Sequence, residues 1–254
     1  MKALWTIATN SYREARHNKV LYIATLFAAV LILFSLFLGE VSLFQNEKVI
    51  KDMGLAAISL LGVFVAVYLG VNTLYQDLER RTIYTIMAKP VTRSEILMGK
   101  FLGMVLVLTS VVLMMSVYLY LVTAFVESKI DWDLIPALFL IIIELWIVAA
   151  IAVFFSSFAG PFLSGFFTFG LFVIGRSSRE LADFGDRSKN EVFKFFATSV
   201  QRIFDLESFD LRSTVVHKLT VYAEDVWLPV GYGITLIFLL LLLSNAFFLK
   251  RDFK

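Results

Sequence analysis

Residues 134–175 read LIPALFLIIIELWIVAAIAVFFSSFAGPFLSGFFTFGLFVIG. Forty-two residues pass with one ionisable group, Glu144. A helix needs about 20 apolar residues to cross the hydrocarbon core of a bilayer, so this stretch holds enough for two crossings. Ser156, Ser157, Gly160 and Pro161 interrupt it. Glycine and proline punctuate helices, and proline is accepted at a first helical position. The stretch therefore reads as two helices, 134–155 and 158–175, joined by a tight turn. One bent helix is the competing reading, and it would reverse the side of everything that follows.

Working outward, four more apolar runs appear, at 20–39, 54–75, 101–126 and 227–249, none with a charge. Of the 254 residues 59% are hydrophobic and 17% charged, with 26 phenylalanines and a mean hydropathy of +0.81. Soluble domains carry about 25% charged residues. Disorder requires low hydrophobicity, and a soluble particle would lack polar residues for its surface. The expectation is one all-α membrane domain over 1–254 with six transmembrane helices. The first apolar run starts at Val20 and lacks a small-x-small cleavage site, so no cleaved signal peptide is expected. A net charge of +2 gives no reason to invoke nucleic acid. Cysteine is absent, which removes disulfides, thiolate metal sites and cysteine nucleophiles.

Charge sets the orientation. Segments 1–19, 76–100 and 250–254 together hold 12 basic and 5 acidic residues, whereas 40–53 and 127–133 hold 3 basic and 6 acidic. Both termini are thus expected in the cytoplasm. Trp132 and Trp227 fall at outer span ends, where aromatic belts lie. The segment 176–226, with 8 basic and 9 acidic residues, falls outside by parity. Val192, Phe193, Phe196, Val200, Ile203 and Phe204 recur there at helical spacing. A structured outer loop is expected, its amphipathic helices covering the outer mouth or dipping into the interface.

On the cytoplasmic side, residues 4–17 separate Leu4, Trp5, Ile7, Ala8, Ser11, Tyr12 and Ala15 from a polar arc. An interfacial amphipathic helix within 1–19 follows, acting as an anchor or touching a partner. Residues 76–100 read QDLERRTIYTIMAKPVTRSEILMGK. A charge cluster is followed by a short mixed helix that Pro90 ends, with Ser94 as the expected N-cap of the third span. Ile83, Tyr84, Ile86 and Met87 offer apolar docking, and Glu79, Arg80 and Arg81 offer ion pairing. A solvated loop that only sets topology is the alternative.

This segment resembles the cytoplasmic loop of ABC-2 type exporter permeases, through Glu79, Thr82, Pro90, Arg93, Gly99 and Lys100. It departs from them at Arg81, where glycine is common. Residues 9–21 and 52–75 resemble the family's N-terminal helix and second span. The branch it resembles includes the permease of the nitrous-oxide reductase maturation system. The resemblance implies that 76–98 is a coupling segment whose helix seats in a separate ATPase, with Glu79, Arg80, Arg81, Thr82, Ile83, Tyr84, Met87, Pro90 and Arg93 as contacts. It implies two ATPase copies carrying ATP and Mg, a second permease chain, identical or related, and a bacterial or archaeal inner membrane. The chain has no G-x-x-x-x-G-K-[ST] phosphate loop, so it is expected to be a non-catalytic subunit with no cofactor of its own. ATP-driven export stands beside two other readings: mechanical transmission to an external partner without transport, and a self-contained channel or carrier.

Within the membrane, Glu144 is the polar candidate, since a buried carboxylate in lipid must face the bundle or a cavity. It is read as a substrate-contacting or proton-linked group, or as a structural hydrogen-bonding group. No intramembrane Lys, Arg or His is expected as its partner. His17 and His217 are too few for a metal site. The adjacent Met114 and Met115 point to different helix faces, which favours packing over copper handling. Gly99 and Gly103 form a G-x-x-x-G that permits close helix approach, across a dimer or elsewhere. No hydrolase motif is present.

Overall fold

The structure is a computed structural model that describes residues 2–16, 18–41, 45–79, 92–129, 131–187 and 190–250. Its long helices are α1 (Lys2–Arg16), α2 (Lys19–Val41), α3 (Asn46–Glu79), α4 (Arg93–Glu127), α5 (Leu134–Ser156) and α6 (Pro161–Arg176). Then come α7 (Ser178–Arg187), α8 (Glu191–Ile203), a 3-10 turn (Glu207–Phe209), α9 (Arg212–Val216) and α10 (Ala223–Lys250).

The break after α5 is where the sequence places it. The Ser157 hydroxyl donates to Phe154 O at 2.7 Å, and its N–H returns to Val153 O. Gly160 is extended and Pro161 opens α6, so the stretch 134–175 is two helices. Among the described residues, five helices are long and apolar enough to cross a membrane: Lys19–Gly39, Asn46–Asn72, Ser94–Val126, Leu134–Ser156 and Ala223–Phe247. The remaining expected crossing is α6, with 16 residues. At 1.5 Å per residue it rises about 24 Å, against about 35 Å for α5 and a core of about 30 Å.

Helix α5 is the hub. Sixteen of its 23 residues are buried, against α3, α4, α6 and α10. Small residues let α3 lie close on it. A Cβ on Gly62 would stand 2.5 Å from Leu145 Cδ1, and one on Gly70 would stand 2.3 Å from Ala152 Cβ. Close backbone approach of this kind drives helix association in lipid, where hydrophobicity gives no net pull. Helix α2 packs on α3 and α4 and turns Leu26, Phe27, Leu33 and Phe37 outward, the pattern of a lipid-facing helix.

Contacts gather the helix ends in two groups. At one end Lys51 pairs with Asp131 and Lys218 with Glu47 at 3.4 Å, so the start of α3 lies beside the residues just before α5 and just after α9. Burial disfavours ionised Asp131, but hydrogen bonds from Lys51 and the Asp133 N–H, with the nearby lysine charges, hold its carboxyl below the usual range. At the other end the Asn18 amide donates to Tyr68 Oη at 3.0 Å, and the Ser94 hydroxyl donates to Asn245 Oδ1 at 2.8 Å.

Ser94 is therefore not the N-cap of α4. Thr92 is, in a reciprocal capping box with Glu95. The Thr92 N–H donates to Glu95 Oε2 at 2.9 Å, and the Glu95 N–H donates to Thr92 Oγ1 at 3.3 Å. The T-x-x-E spacing satisfies two orphan donors at once, which leaves Ser94 for the contact with α10.

Candidate functional site

Three regions drew attention in the sequence: the loop between α3 and α4, the N-terminal helix with the Gly99/Gly103 pair, and Glu144. Of the loop residues, Arg80, Arg81, Thr82, Ile83, Tyr84, Met87 and Pro90 lie outside the described residues. Glu79 ends α3 and Arg93 opens α4, which brackets the segment between two long helices.

The glycine pair receives α1. A Cβ on Gly103 would stand 2.6 Å from Ser11 Cβ and 3.0 Å from Ala8 O. One on Gly99 would stand 2.8 Å from Ile7 and 3.2 Å from Leu4 O. Ala8 is fully buried there, while Trp5 is exposed. The apolar arc of α1 thus lies on α4 of the same chain, with Trp5 left at its edge. Met115 is buried and Met114 exposed, as their opposite faces require.

Glu144 is fully buried at the middle of α5. The expectation that it has no cationic partner is overturned. Arg176 Nη1 donates to Glu144 Oε1 at 2.6 Å, and the Ser59 hydroxyl of α3 donates to Oε2 at 3.4 Å. The other arm of the same guanidinium, Nη2, donates to Asp210 Oδ2 at 2.6 Å. Arg212 closes the chain, with Nη2 at 3.0 Å from Asp210 Oδ2 and Nε at 3.0 Å from Oδ1. Glu144, Arg176, Asp210 and Arg212 thus alternate carboxyl and guanidinium groups along one chain of contacts. Burial opposes the charge on Asp210, yet the Arg212 hydrogen bonds and the Arg176 charge outweigh it and hold its carboxyl below the ordinary range. Hydrogen bonding to Asp210 raises Arg212 in turn, against the effect of burial.

The reason Arg176 reaches Glu144 is the length of α6. Both helices leave the turn at 157–160, and α6 ends about 11 Å short of the far end of α5 by the rise per residue. Its terminal arginine therefore stands beside α5 rather than beyond it, and the guanidinium reaches Glu144 near the middle of that helix. By composition Arg176 belonged to the outer loop. The available signal was an arginine at an outer span end, which runs against the positive-inside pattern.

The segment after α8 folds into the gap above α6. Leu206 and Phe209 are fully buried, and the Leu206 N–H donates to Gly175 O at 3.1 Å. A Cβ on Gly175 would meet Phe204 O at 2.9 Å. Tyr232 of α10 fixes the entry, donating to Ile203 O at 2.6 Å and accepting the Asp205 N–H at 3.2 Å. Beside this segment opens a cleft of about 750 Å³ that includes Arg179, Asp205, Asp210, Glu224 and Tyr232 in its lining.

Each carboxylate of the Glu144 cluster is met by an arginine, and among the described residues no group of three or more His, Asp or Glu could hold a metal. The family described as ABC-2 family transporter protein matches the chain over residues 5–175, ending one residue before Arg176. No curated protein matches the chain.

Proposed function

Because the chain belongs to the ABC-2 family of transporter proteins, and is thus a membrane permease component of an ABC transporter, we propose that it is the membrane half of an ATP-driven exporter. In this reading the spans cross the membrane six times, with α6 as the short crossing. The end bearing α1, residues 80–91 and the C-terminus faces the cytoplasm of a bacterial or archaeal cell, and two permease chains pair with two copies of a separate ATPase that carry ATP and Mg. The chain supplies no nucleotide chemistry. The segment 76–98 docks in the ATPase through Glu79, Arg80, Arg81 and the apolar residues after them. Rigid α3 and α4 then carry the motion of nucleotide closure into the bundle.

The observation that carries this reading is the family match, which spans α1 through α6. The basic excess of the three segments at that end supports the orientation. The capping box supports the lever, since it starts α4 firmly at the edge of the docking segment.

The test is purification of the tagged chain from its native membrane in mild detergent, beside a Glu79→Arg, Arg81→Glu variant. A stoichiometric P-loop ATPase bound to the wild type and lost from the variant is the expected result. A chain that purifies alone and passes solute in liposomes without ATP would sink the proposal in favour of a channel or carrier. An ATPase complex that hydrolyses ATP yet moves no solute would replace export by mechanical transmission.

A further inference from the structure

The cleft beside residues 204–216 has seven charged residues in its lining, and most of them are committed within the chain. The Arg179 guanidinium donates to Ser208 Oγ at 2.9 Å and lies 3.8 Å from Asp205. Glu207 accepts the Arg179 N–H at 3.3 Å. Asp210 is held by Arg176 and Arg212, and Asp225 accepts the Tyr222 N–H at 3.0 Å. Arg202, in the last turn of α8, and Glu224, in the first turn of α10, are left over. Among the described residues, neither side chain has a hydrogen bond or ion pair within the chain. Both line the same cleft, yet they stand too far apart to pair with each other. The Gln201 amide is uncommitted beside them. A volume of about 750 Å³ is in the range of small-ligand sites. What answers both charges is a ligand with one anionic and one cationic group.

The surroundings on α10 select among such ligands. Tyr222 and Trp227, on either side of Glu224 in the chain, are both exposed. Exposed aromatics at the end of a span mark the level of the lipid head groups. Leu228, one turn after Glu224 on the same face, lines the cleft and is 71% exposed. Thr235, Leu239 and Leu242 continue that face at helical spacing, and all are exposed. From 228 to 242 this strip runs about 21 Å by the rise per residue, longer than the roughly 15 Å of hydrocarbon in one leaflet. A polar cleft at head-group level therefore opens onto an apolar path for a tail along the same helix. The guanidinium fork of Arg202 suits phosphate oxygens, and the Glu224 carboxylate suits an ammonium.

We infer that the cleft is a head-group site for a zwitterionic phospholipid, with its phosphate on Arg202, its ammonium on Glu224 and an acyl chain along Leu228, Leu239 and Leu242. On the exporter reading this lipid belongs to the outer leaflet. Asp210 lines the cleft and is also a link of the chain that ends at Glu144, so the bound head group sits against the contact that ties α5 and α6 to residues 204–216. The inference rests on membrane insertion and requires no ATPase, so it can fail while the exporter reading survives, and the reverse.

The test is a lipid titration of the full chain, delipidated in detergent, with bound lipids counted by native mass spectrometry. The probes are dioleoyl phosphatidylethanolamine, dioleoyl phosphatidylglycerol, which has the phosphate without the ammonium, and glycerophosphoethanolamine, which has the head group without tails. The first phosphatidylethanolamine is expected to bind about tenfold more tightly than phosphatidylglycerol, as one added charge pair in a cleft allows. Glu224→Gln should erase that preference, and Arg202→Gln should weaken both lipids several-fold. Glu191→Gln, an exposed carboxylate of α8 outside the cleft lining, should leave the preference intact. Equal binding of the two lipids by the wild type, or a preference that survives Glu224→Gln, would overturn the inference. Glycerophosphoethanolamine binding as tightly as the intact lipid would make the site one for a soluble zwitterion and overturn the lipid assignment. Arg202 and Glu224 are exposed and unbonded within the chain, so both variants should keep the wild-type unfolding temperature without added lipid, which separates lost binding from lost folding.

Discussion

At one end of the bundle, α1 lies on α4 because two glycines let the backbones approach, with Ser11 and Ala8 against Gly103 and Ile7 against Gly99. At the other end, the segment 204–216 lies on α5 and α6 because four charges alternate, Glu144 to Arg176 to Asp210 to Arg212. Both contacts tie a peripheral piece to the spans. The first depends on the absence of side-chain volume. The second depends on ionisation inside a low-dielectric bundle, where removing one member strands the others. A glycine seam should therefore weaken with the size of an added side chain, and the charge chain with the loss of one partner.

The largest effect is expected at Arg176. Arg176→Met leaves Glu144 buried without its cation and Asp210 short of one partner, at a cost of about 3–5 kcal/mol. Thermal unfolding in detergent reads it. Adding Glu144→Leu should restore much of the loss, because the remaining pair of Asp210 and Arg212 is still balanced. A single variant as stable as the wild type would mean that the cluster locks nothing. Next comes the glycine seam. Gly103→Val should displace α1 and cost about 1–3 kcal/mol, as overpacking does, with faster proteolysis between α1 and α2 as the readout. Gly170→Val is the matched control, since nothing lies within 4 Å of a Cβ there. If both behave alike, close approach is not what holds α1.

The smallest effect is the acid response. Asp210 is held below the ordinary carboxylate range in the folded chain. A group whose folded value is depressed contributes stability that is present above the unfolded value, about 3.9 for aspartate, and is lost as pH falls through the folded value. Unfolding temperature should therefore fall on acidification below about pH 4. The fall should be shallower in Asp210→Asn, while Gly103→Val keeps the wild-type slope. Equal slopes in all three would assign the acid response to other groups.

Much of this was legible in order. The break at Ser156–Pro161 follows from local chemistry, and α5 and α6 separate there. The helical spacing of Val192 to Phe204 anticipates α8, although only Ala197 in that helix is buried, so the period revealed the helix and not which side is covered. The capping position was missed despite being local, because Ser94 competed with the T-x-x-E box that Thr92 completes. The glycine pair was recognised as a place for close approach, but its partner α1 lies some ninety residues earlier. Glu144 was recognised as a group needing a partner, and the partner went unseen because Arg176 follows an apolar run and counts as loop by composition.

The placement of the apolar helices, the basic and acidic segments and the amphipathic α1 were determined by the sequence alone, because hydrophobic length and charge are properties of neighbouring residues. The pairing of Glu144 with Arg176, the return of 204–216 into the bundle and the depth from which α7 and α8 depart were decided only by the tertiary structure. Each depends on axial height. Height is the sum of a turn, two helix lengths and the close approach of α3 to α5, and no window of residues carries that sum.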